Sequence, residues 1–297
     1  MDRDRDVRGA RWHDGIRIGL ALVLLAATIS GCGSEPTRGR RGGTEAYGAA
    51  VPPEARRAFA WPEGTKAAVS LTFDDARASQ VENGVPLLDR YEVKATFYVV
   101  PDRLGERLAA WKQAAANGHE IGNHTLRHPC TGNFAFAREK ALEDYTREQM
   151  ERELLEANRR IEAALGVRPR TFAYPCGQKF VGRGTQLRSY VPVVAWMFSA
   201  GRGWMDEAAN DPAFCDPAQL LGVELDGLDF EAAKKLIDTA VENGGWLVFA
   251  GHDIGEGGRQ TTRIDTLEAI CEYARDPNNG IWIDTVDHVV AYVREMR

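Results

Sequence analysis

Four residues in two short segments have the types and spacing of a metal-dependent hydrolase. Asp74 and Asp75 follow the apolar run 67–73, and His124 and His128 come later with three residues between them. One carboxylate and two imidazoles can hold a divalent ion and leave an open position for water, which distinguishes catalytic from structural zinc sites. The second carboxylate is then free to move a proton. The pattern predicts hydrolysis at a mononuclear metal centre.

The overall composition is that of an ordinary soluble globular protein. The chain has 297 residues, of which 44% are hydrophobic and 27% are charged. This length allows one large domain or two small ones, with a sizeable core. The net charge is −6 and no long basic stripe is present, so nothing in the sequence indicates a nucleic-acid surface, and no nucleic-acid partner is expected.

Residues 1–32 are predicted to be a lipoprotein-type signal peptide. Arginines precede an uncharged stretch, 18–31, which is too short for a bilayer span of about 20 residues but suits the apolar region of a signal peptide. The stretch ends in Ile29-Ser30-Gly31-Cys32, which resembles a bacterial lipobox with Cys32 as the lipidated residue. The alternative is an ordinary secretory signal with a chance cysteine. Residues 33–62 lack periodicity and are predicted to be a flexible tether, so the protein is expected to be exported and membrane-anchored in the cell envelope.

Export also changes what the remaining cysteines can do, because disulfides persist outside the cytoplasm. One disulfide is expected among Cys130, Cys176 and Cys215, although the sequence does not assign the pair. Cys271 lies within a helical pattern and is expected to be a small buried hydrophobe.

Apolar, strand-like runs alternate with helical patterns from Trp61 onward. The predicted strands are 67–73, 95–100, 171–174, 193–198, 246–250 and 281–283. The predicted helices include 106–117, 148–165, 230–242, 266–275 and one at the C-terminus. Continuous apolar strands that alternate with helices favour a parallel sheet buried on both faces, as in an α/β barrel. Such barrels build their sites at the carboxyl ends of the strands, where Asp74, Cys176 and His252 are expected.

Each chemical feature has a structural alternative when taken alone. Asp75 could cap the following helix, and His252 could be a loop histidine with satisfied hydrogen bonds. The two spaced histidines could be a solvated or core pair on a helix, although Pro129 disfavours a helical His128. Their common position at predicted strand ends favours a functional site.

Four motifs together resemble the polysaccharide deacetylase family, the NodB-homology group or carbohydrate esterase family 4. They are LTFDD at 71–75, NHTLRHP at 123–129, FAYPCG at 172–177 and LVFAGH at 247–252. The resemblance extends from Glu63 to the C-terminus and indicates one domain, 63–297. It implies a distorted (β/α) barrel and metal-assisted removal of acetyl groups from N-acetylated sugars of an envelope or extracellular polysaccharide.

The resemblance also implies a role for each matching residue. The metal, expected to be Zn²⁺ with Co²⁺ or Ni²⁺ as alternatives, would be bound by Asp75, His124 and His128. Asp74 would be the general base that activates water, and His252 would be the general acid that protonates the leaving amine. The backbone N–H of Cys176 would help to hold the oxyanion.

The sequence departs from the family pattern in three places. Ala173 occupies a position that commonly carries an arginine paired with the base aspartate; Arg202 is the predicted replacement, with Arg127 as the second choice. Cys176 stands where an aromatic residue is usual. The usual motif with Asp and Trp has no clean counterpart in the sequence.

Three other functions remain open at this point. The chain could be an esterase that removes O-acetyl groups from xylan or another glycan, or a related enzyme that hydrolyses a small cyclic amide. It could also be a catalytically inactive carbohydrate-binding module. The signal and tether favour an envelope glycan over a small cyclic amide, and neither the base nor any metal ligand is missing, which argues against an inactive module.

Overall fold

The computed structural model describes residues 59–297, which belong to a compact unit, Ala55–Arg297. The predicted signal peptide, Cys32 and nearly all of the predicted tether lie outside the described residues, so the domain boundaries remain predictions. No helix within 59–297 is both long enough and apolar enough to cross a bilayer.

The described chain alternates strands with helices, as predicted. The strands are β1 (Ala67–Asp74), β2 (Thr96–Val99), β3 (Glu120–Asn123), β4 (Thr171–Ala173), β5 (Phe180–Val181), β6 (Arg188–Ser189), β7 (Ala200–Arg202), β8 (Val223–Glu224), β9 (Trp246–Gly251), β10 (Asp253–Gly255), β11 (Thr261–Arg263) and β12 (Ile281–Ile283). The α-helices are α1 (Val85–Arg90), α2 (Leu108–Ala116), α3 (Arg147–Leu165), α4 (Val191–Met197), α5 (Phe230–Asn243), α6 (Ile264–Ala274) and α7 (Val286–Met296).

Eight of these strands form one curled parallel sheet. The order is β7-β4-β3-β2-β1-β9-β8, and β12 pairs with the first half of β1. Every residue of β1 is buried, because helices and neighbouring strands cover both of its faces. This architecture confirms the predicted distorted (β/α) barrel of the NodB-homology type.

Aromatic side chains lie in the core beneath the sheet. Phe97 on β2 lies with its ring centroid 5.6 Å from that of Phe73 and 5.5 Å from that of Trp111 on α2. All three side chains are fully buried, and each such burial contributes about 1.5–3 kcal/mol. This packing joins β1 to β2, and the predicted site residues Asp74 and Asp75 lie at the end of β1.

The predicted strand at 193–198 is wrong, because this segment is helix α4. Pro192 stands in the first turn of the helix, where a missing N–H costs nothing. Val193 and Val194 are buried while Trp196 is 75% exposed, which is a helical rather than an alternating pattern. A short apolar run does not distinguish a strand from a helix. The strand at this place in the sheet is β7, which begins at Ala200.

The cysteine predictions are confirmed by the described part of the chain. Cys130 and Cys176 form a disulfide with their Cα atoms 6.1 Å apart. Cys271 is fully buried and unpaired, and Cys215 is also a free thiol. The disulfide joins the segment after β3 to the turn after β4, and both segments lie beside the site.

Candidate active site and metal centre

Asp74 and Asp75 lie at the carboxyl end of β1, where the chain turns. Asp75 has a φ of 83°, and its backbone N–H donates to the carbonyl oxygen of Tyr98 on β2 at 3.0 Å. This sharp turn points consecutive side chains in different directions. Asp75 caps no helix, since its carboxylate instead forms ion pairs with Arg77 and Arg103. The capping alternative is therefore wrong.

A tight turn brings the two histidines together at the end of β3. Buried Asn123 accepts a 2.6 Å hydrogen bond from the backbone N–H of Thr125, and Thr125 Oγ1 accepts one from His128 N at 2.9 Å. Thr125 and His128 both have positive φ, 65° and 52°. The segment is thus a loop, as Pro129 predicts, and the imidazole centroids of His124 and His128 lie 4.8 Å apart.

The three predicted metal ligands converge on one point. Asp75 Oδ1 lies 3.8 Å from Nε2 of His124 and 3.5 Å from Nε2 of His128. Two ligands on one zinc ion at about 2.1 Å each, at a tetrahedral angle, would be about 3.4 Å apart. Asp75 Oδ1 is also buried without a hydrogen-bond donor aligned on it. The separations fit a divalent ion.

Both histidines are held in the neutral form that binds metals. Burial lowers the pKa of His124 despite the opposing charges of Asp74 and Asp75. Burial and the neighbouring His124 lower the pKa of His128 to about 3. The Nδ1 of His124 is 2.9 Å from the carbonyl oxygen of Ala173, which fixes the ring so that Nε2 faces Asp75.

Two arginines that the sequence analysis did not single out flank the metal-ligand carboxylate. Arg77 Nη2 is 3.1 Å from Asp75 Oδ2, and Arg103 Nη1 is 2.6 Å from Oδ1, although without hydrogen-bond alignment. Burial acts to raise the pKa of Asp75, but His124, His128 and Arg103 outweigh it and lower that pKa. Asp75 is therefore ionised, as a metal ligand must be.

Asp74 forms a fully buried ion pair with Arg202, the predicted replacement arginine. The guanidinium donates from Nη2 to Asp74 Oδ1 and from Nη1 to the carbonyl oxygen of Gly203 at 2.8 Å. It also lies 5.0 Å from the centroid of the Tyr98 ring. Burial acts to raise the pKa of Asp74, but Arg202, His124 and His252 together lower it. Arg127, the second choice, is exposed.

His252 lies at the end of β9 and is oriented by a carboxylate that sequence analysis missed. Its Nδ1 is 2.6 Å from Oδ2 of Asp226, and Asp226 Oδ1 accepts from the His252 backbone N–H at 3.0 Å. Burial acts to lower the pKa of His252, but the hydrogen bond that its ring donates to Asp226 and the charge of Asp74 raise it above its ordinary value. Trp204 packs edge-on against this imidazole, with ring centroids 5.4 Å apart. Asp226 and Trp204 supply the residue types of the missing motif from separate segments.

One cavity of about 430 Å³, which we call the catalytic cavity, is lined by both aspartates and by His124, His128 and His252. Cys176 contributes to its wall with a φ of 54°, and Phe134 and Phe136 stand at its rim. Buried Gln80 ties the strand ends together, since its Nε2 donates to the carbonyl oxygens of Asp74 and His252 at 2.6 and 2.9 Å. The structure thus brings every predicted site residue to one place.

Comparison with known proteins shows which family and which proteins part of the chain resembles. A family model for polysaccharide deacetylase matches residues 62–187. The chain is 26% identical over 133 residues to peptidoglycan-N-acetylglucosamine deacetylase of Listeria monocytogenes, which covers 44% of this chain and 26% of that protein. It is 36% identical over 97 residues to chitooligosaccharide deacetylase of Sinorhizobium fredii, which covers 32% of this chain and 40% of that protein. The chain therefore spans less than half the length of these curated relatives.

The fold also matches solved structures. A Mycobacterium smegmatis structure assigned to the polysaccharide deacetylases aligns with a TM-score of 0.59 at 17% identity. The alignment covers 81% of this chain and 94% of that chain. At this identity the match establishes the fold alone.

Proposed function

We propose that this chain, whose residues 62–187 match the polysaccharide deacetylase family, is a metal-dependent hydrolase that removes acetyl groups from N-acetylated sugars of an envelope or extracellular polysaccharide. One observation carries the proposal. A metal-fitting triad of Asp75, His124 and His128 shares one cavity with a buried base and an oriented imidazole. A binding module would need neither the base nor the acid.

The metal site has a defined part in this chemistry. Asp75, His124 and His128 would hold a divalent ion, most simply Zn²⁺, since two imidazoles and one carboxylate with an open position are a catalytic zinc set. The ion would polarise the acetyl carbonyl and lower the pKa of water toward about 7.

Asp74 is the proposed base. Its carboxylate stays ionised because the positive charge of the buried Arg202 stabilises the negative charge. Arg202 binds one carboxylate oxygen and so fixes which oxygen faces the cavity. A carboxylate held in this way takes a proton from the attacking water without reorientation. The Cys176 backbone N–H is the proposed donor to the developing oxyanion, a task in which one aligned donor contributes about 10²–10³ in rate.

His252 is the proposed acid. Asp226 accepts from Nδ1, and the raised pKa of His252 favours the imidazolium, in which Nε2 also carries a proton that can pass to the leaving nitrogen. An amine leaves far more readily once it is protonated, whereas an alcohol needs this help less. The Asp226–His252 pair therefore supports amide rather than ester hydrolysis, and the O-acetyl esterase of xylan remains the alternative.

Release of acetate tests the proposed activity. Purified protein loaded with Zn²⁺ should release acetate from chitin oligosaccharides or peptidoglycan and lose this activity in chelator, with recovery on adding metal. A faster release from acetylxylan than from every N-acetylated glycan would select the esterase. Binding without any acetate release would select the inactive module.

The N-terminal signal supports a second part of the proposal, a lipid anchor. We propose that Cys32 is lipidated and that the domain acts at the cell envelope, since Ile29-Ser30-Gly31 precedes the cysteine at the end of a short apolar run. Cys32→Ala should leave the precursor unprocessed or mislocated. Unchanged membrane partitioning and mature mass in that variant would reject the anchor.

A further inference from the structure

The disulfide and one ligand of the catalytic metal centre form a second cluster of ligand atoms. A ring nitrogen of His128 and the sulfur atoms of Cys130 and Cys176 all lie within 4.8 Å of one another. Nδ1 of His128 is 3.7 Å from Cys130 Sγ, and a sulfur and a nitrogen on one tetrahedral zinc ion would be about 3.6 Å apart. The sulfurs cannot act as thiolate ligands while the disulfide is closed. Reduction would therefore complete a site of two sulfurs and one nitrogen.

His128 differs from His124 in the partner of its Nδ1 atom. Nδ1 of His124 lies 2.9 Å from the carbonyl oxygen of Ala173, an acceptor that keeps the ring hydrogen on Nδ1 and leaves Nε2 for the metal. Among the described residues, the hydrogen-bond partner of Nδ1 of His128 is the sulfur of Cys130. An ion held by the freed sulfurs would therefore meet this ring nitrogen directly.

Hydrogen bonds outside the disulfide hold its two segments together. The backbone N–H of Thr131 donates to Gln178 Oε1 at 2.7 Å, which joins the residue after Cys130 to the turn after Cys176. The carbonyl oxygen of Cys130 accepts from Leu142 N at 3.0 Å. The Cα atoms of the two cysteines lie 6.1 Å apart, so side-chain rotation can bring the free sulfurs to about 3.8 Å, the separation of two thiolates on one tetrahedral zinc ion. The ligands thus stay near one another after reduction, which lowers the ordering cost of binding.

A dithiol can open the disulfide at Cys176. Cys130 is fully buried, whereas Cys176 is half-buried and lines the catalytic cavity. A thiolate of the dithiol attacks Cys176 Sγ, Cys130 Sγ leaves, and the second thiol of the reductant then displaces Cys176 from the mixed disulfide. The protein gains two thiols and the dithiol becomes a disulfide, so two electrons and two protons are transferred. Each protein thiol releases its proton when the ion binds.

We infer that His128, Cys130 and Cys176 form a second metal site in the reduced protein. The site takes a thiophilic ion, Zn²⁺ or a softer one, because two thiolates and one imidazole are a zinc-type ligand set. A neutral imidazole offers one lone pair, so an ion on Nδ1 of His128 removes this residue from the catalytic set with Asp75 and His124. The disulfide thereby keeps His128 available to the catalytic metal. Only the effect on turnover rests on the proposed deacetylase activity.

Cobalt absorption tests the site without any substrate. Co²⁺ bound through thiolate sulfur has a sulfur-to-cobalt charge-transfer band in the near ultraviolet, which Co²⁺ on nitrogen and oxygen lacks. Metal-free protein, reduced with a dithiol that is then removed without air, should show this band on adding one equivalent of Co²⁺, and the oxidised protein should not. The band should disappear in the double variant Cys130→Ser with Cys176→Ser. It should persist in Cys215→Ser, the matched control, which removes a thiol outside the cluster, and in Asp75→Ala, which removes only a ligand of the catalytic centre.

Metal competition tests the sharing of His128. With one equivalent of Zn²⁺, reduced wild type should release acetate at least about tenfold more slowly than the double serine variant, since loss of even an outer partner of a metal ligand costs about 10–100-fold in activity. The double serine variant also lacks the disulfide, so this comparison separates capture of His128 from loss of the cross-link.

The two measurements separate failure of the inference from failure of the proposed function. If reduced wild type lacks the band, or if Cys215→Ser alone loses it, the second metal site is rejected, whatever the oxidised protein does to a glycan. Equal turnover of reduced wild type and the double serine variant would overturn the competition for His128. A band in the reduced protein, with no acetate release by the oxidised protein, would leave the second site standing and reject the proposed deacetylase.

Discussion

Ala173 and Arg202 are register partners on the adjacent parallel strands β4 and β7. The guanidinium of Arg202 extends from this position to Asp74 at the end of β1 and is fully buried. Glycine at 222 makes the space, since a Cβ there would lie 2.4 Å from Arg202 Cδ. An arginine on β7 can therefore compensate the charge of Asp74, the proposed base.

Neutralising Arg202 should impair the base. In Arg202→Met the pKa of Asp74 should rise, because its principal cationic partner is lost while burial remains. A higher pKa keeps the base protonated to higher pH, so the acid limb of kcat/KM should move upward and kcat should fall by about 10²-fold. A pH–rate profile measures both changes. An unchanged acid limb would show that Arg202 is not the partner of the base.

The register relationship offers a rescue experiment. In the double variant Ala173→Arg with Arg202→Ala, a guanidinium on β4 replaces the one lost from β7, at the same level of the sheet. This variant should recover part of the activity that Arg202→Ala alone loses. The same experiment can be made with lysine at position 173 in the Arg202→Ala background. If arginine restores activity and lysine does not, the planar guanidinium is required. Equal inactivity of the double and single variants would contradict the exchange.

Asp226→Asn should shift the alkaline limb of the rate profile to lower pH. His252, the proposed general acid, can act only while it is protonated, and the carboxylate of Asp226 raises the pKa of that imidazole. Without the negative charge the imidazole loses its proton at lower pH. Thr262→Val is the matched control, because Thr262 only donates a 2.9 Å hydrogen bond to Asp226 and leaves its charge in place. An equal shift in both variants would assign the effect to packing instead.

The Cys130–Cys176 disulfide should support both stability and the site. Replacing both cysteines by serine should lower the free energy of unfolding by about 2–4 kcal/mol. It should also lower kcat, since Cys130 follows His128 by two residues and Cys176 lines the catalytic cavity. Denaturant titration measures the first effect. Cys215→Ser removes a free thiol and should match wild type.

Thiol labelling checks the pairing itself. In the denatured, non-reduced protein, Cys215 and Cys271 should react and the two paired cysteines should react only after reduction. Labelling of Cys130 without a reductant would contradict the disulfide.

Local sequence predicted the parts of the site that lie within single motifs. The adjacent aspartates and the HxxxH segment are short patterns. The end of the apolar run 67–73 places the aspartates, and Pro129 indicates that the histidines lie in a loop. Asp226 and Trp204 were missed because each acts on His252 from a different segment, and only the fold brings them together. Arg77 and Arg103 were missed for the same reason, since nothing in the sequence marks them as partners of Asp75.

The central claim is that the adjacent aspartates have different roles. Asp75 is the proposed metal ligand, and Asp74 is the proposed base that takes the proton from water. Metal content measured beside turnover in Asp74→Asn and Asp75→Ala tests this most directly. We predict that Asp74→Asn retains metal and loses turnover by about 10²–10⁴, while Asp75→Ala loses metal affinity and regains part of its activity at high metal concentration. A metal-free Asp74→Asn together with a metal-replete Asp75→Ala would contradict the account.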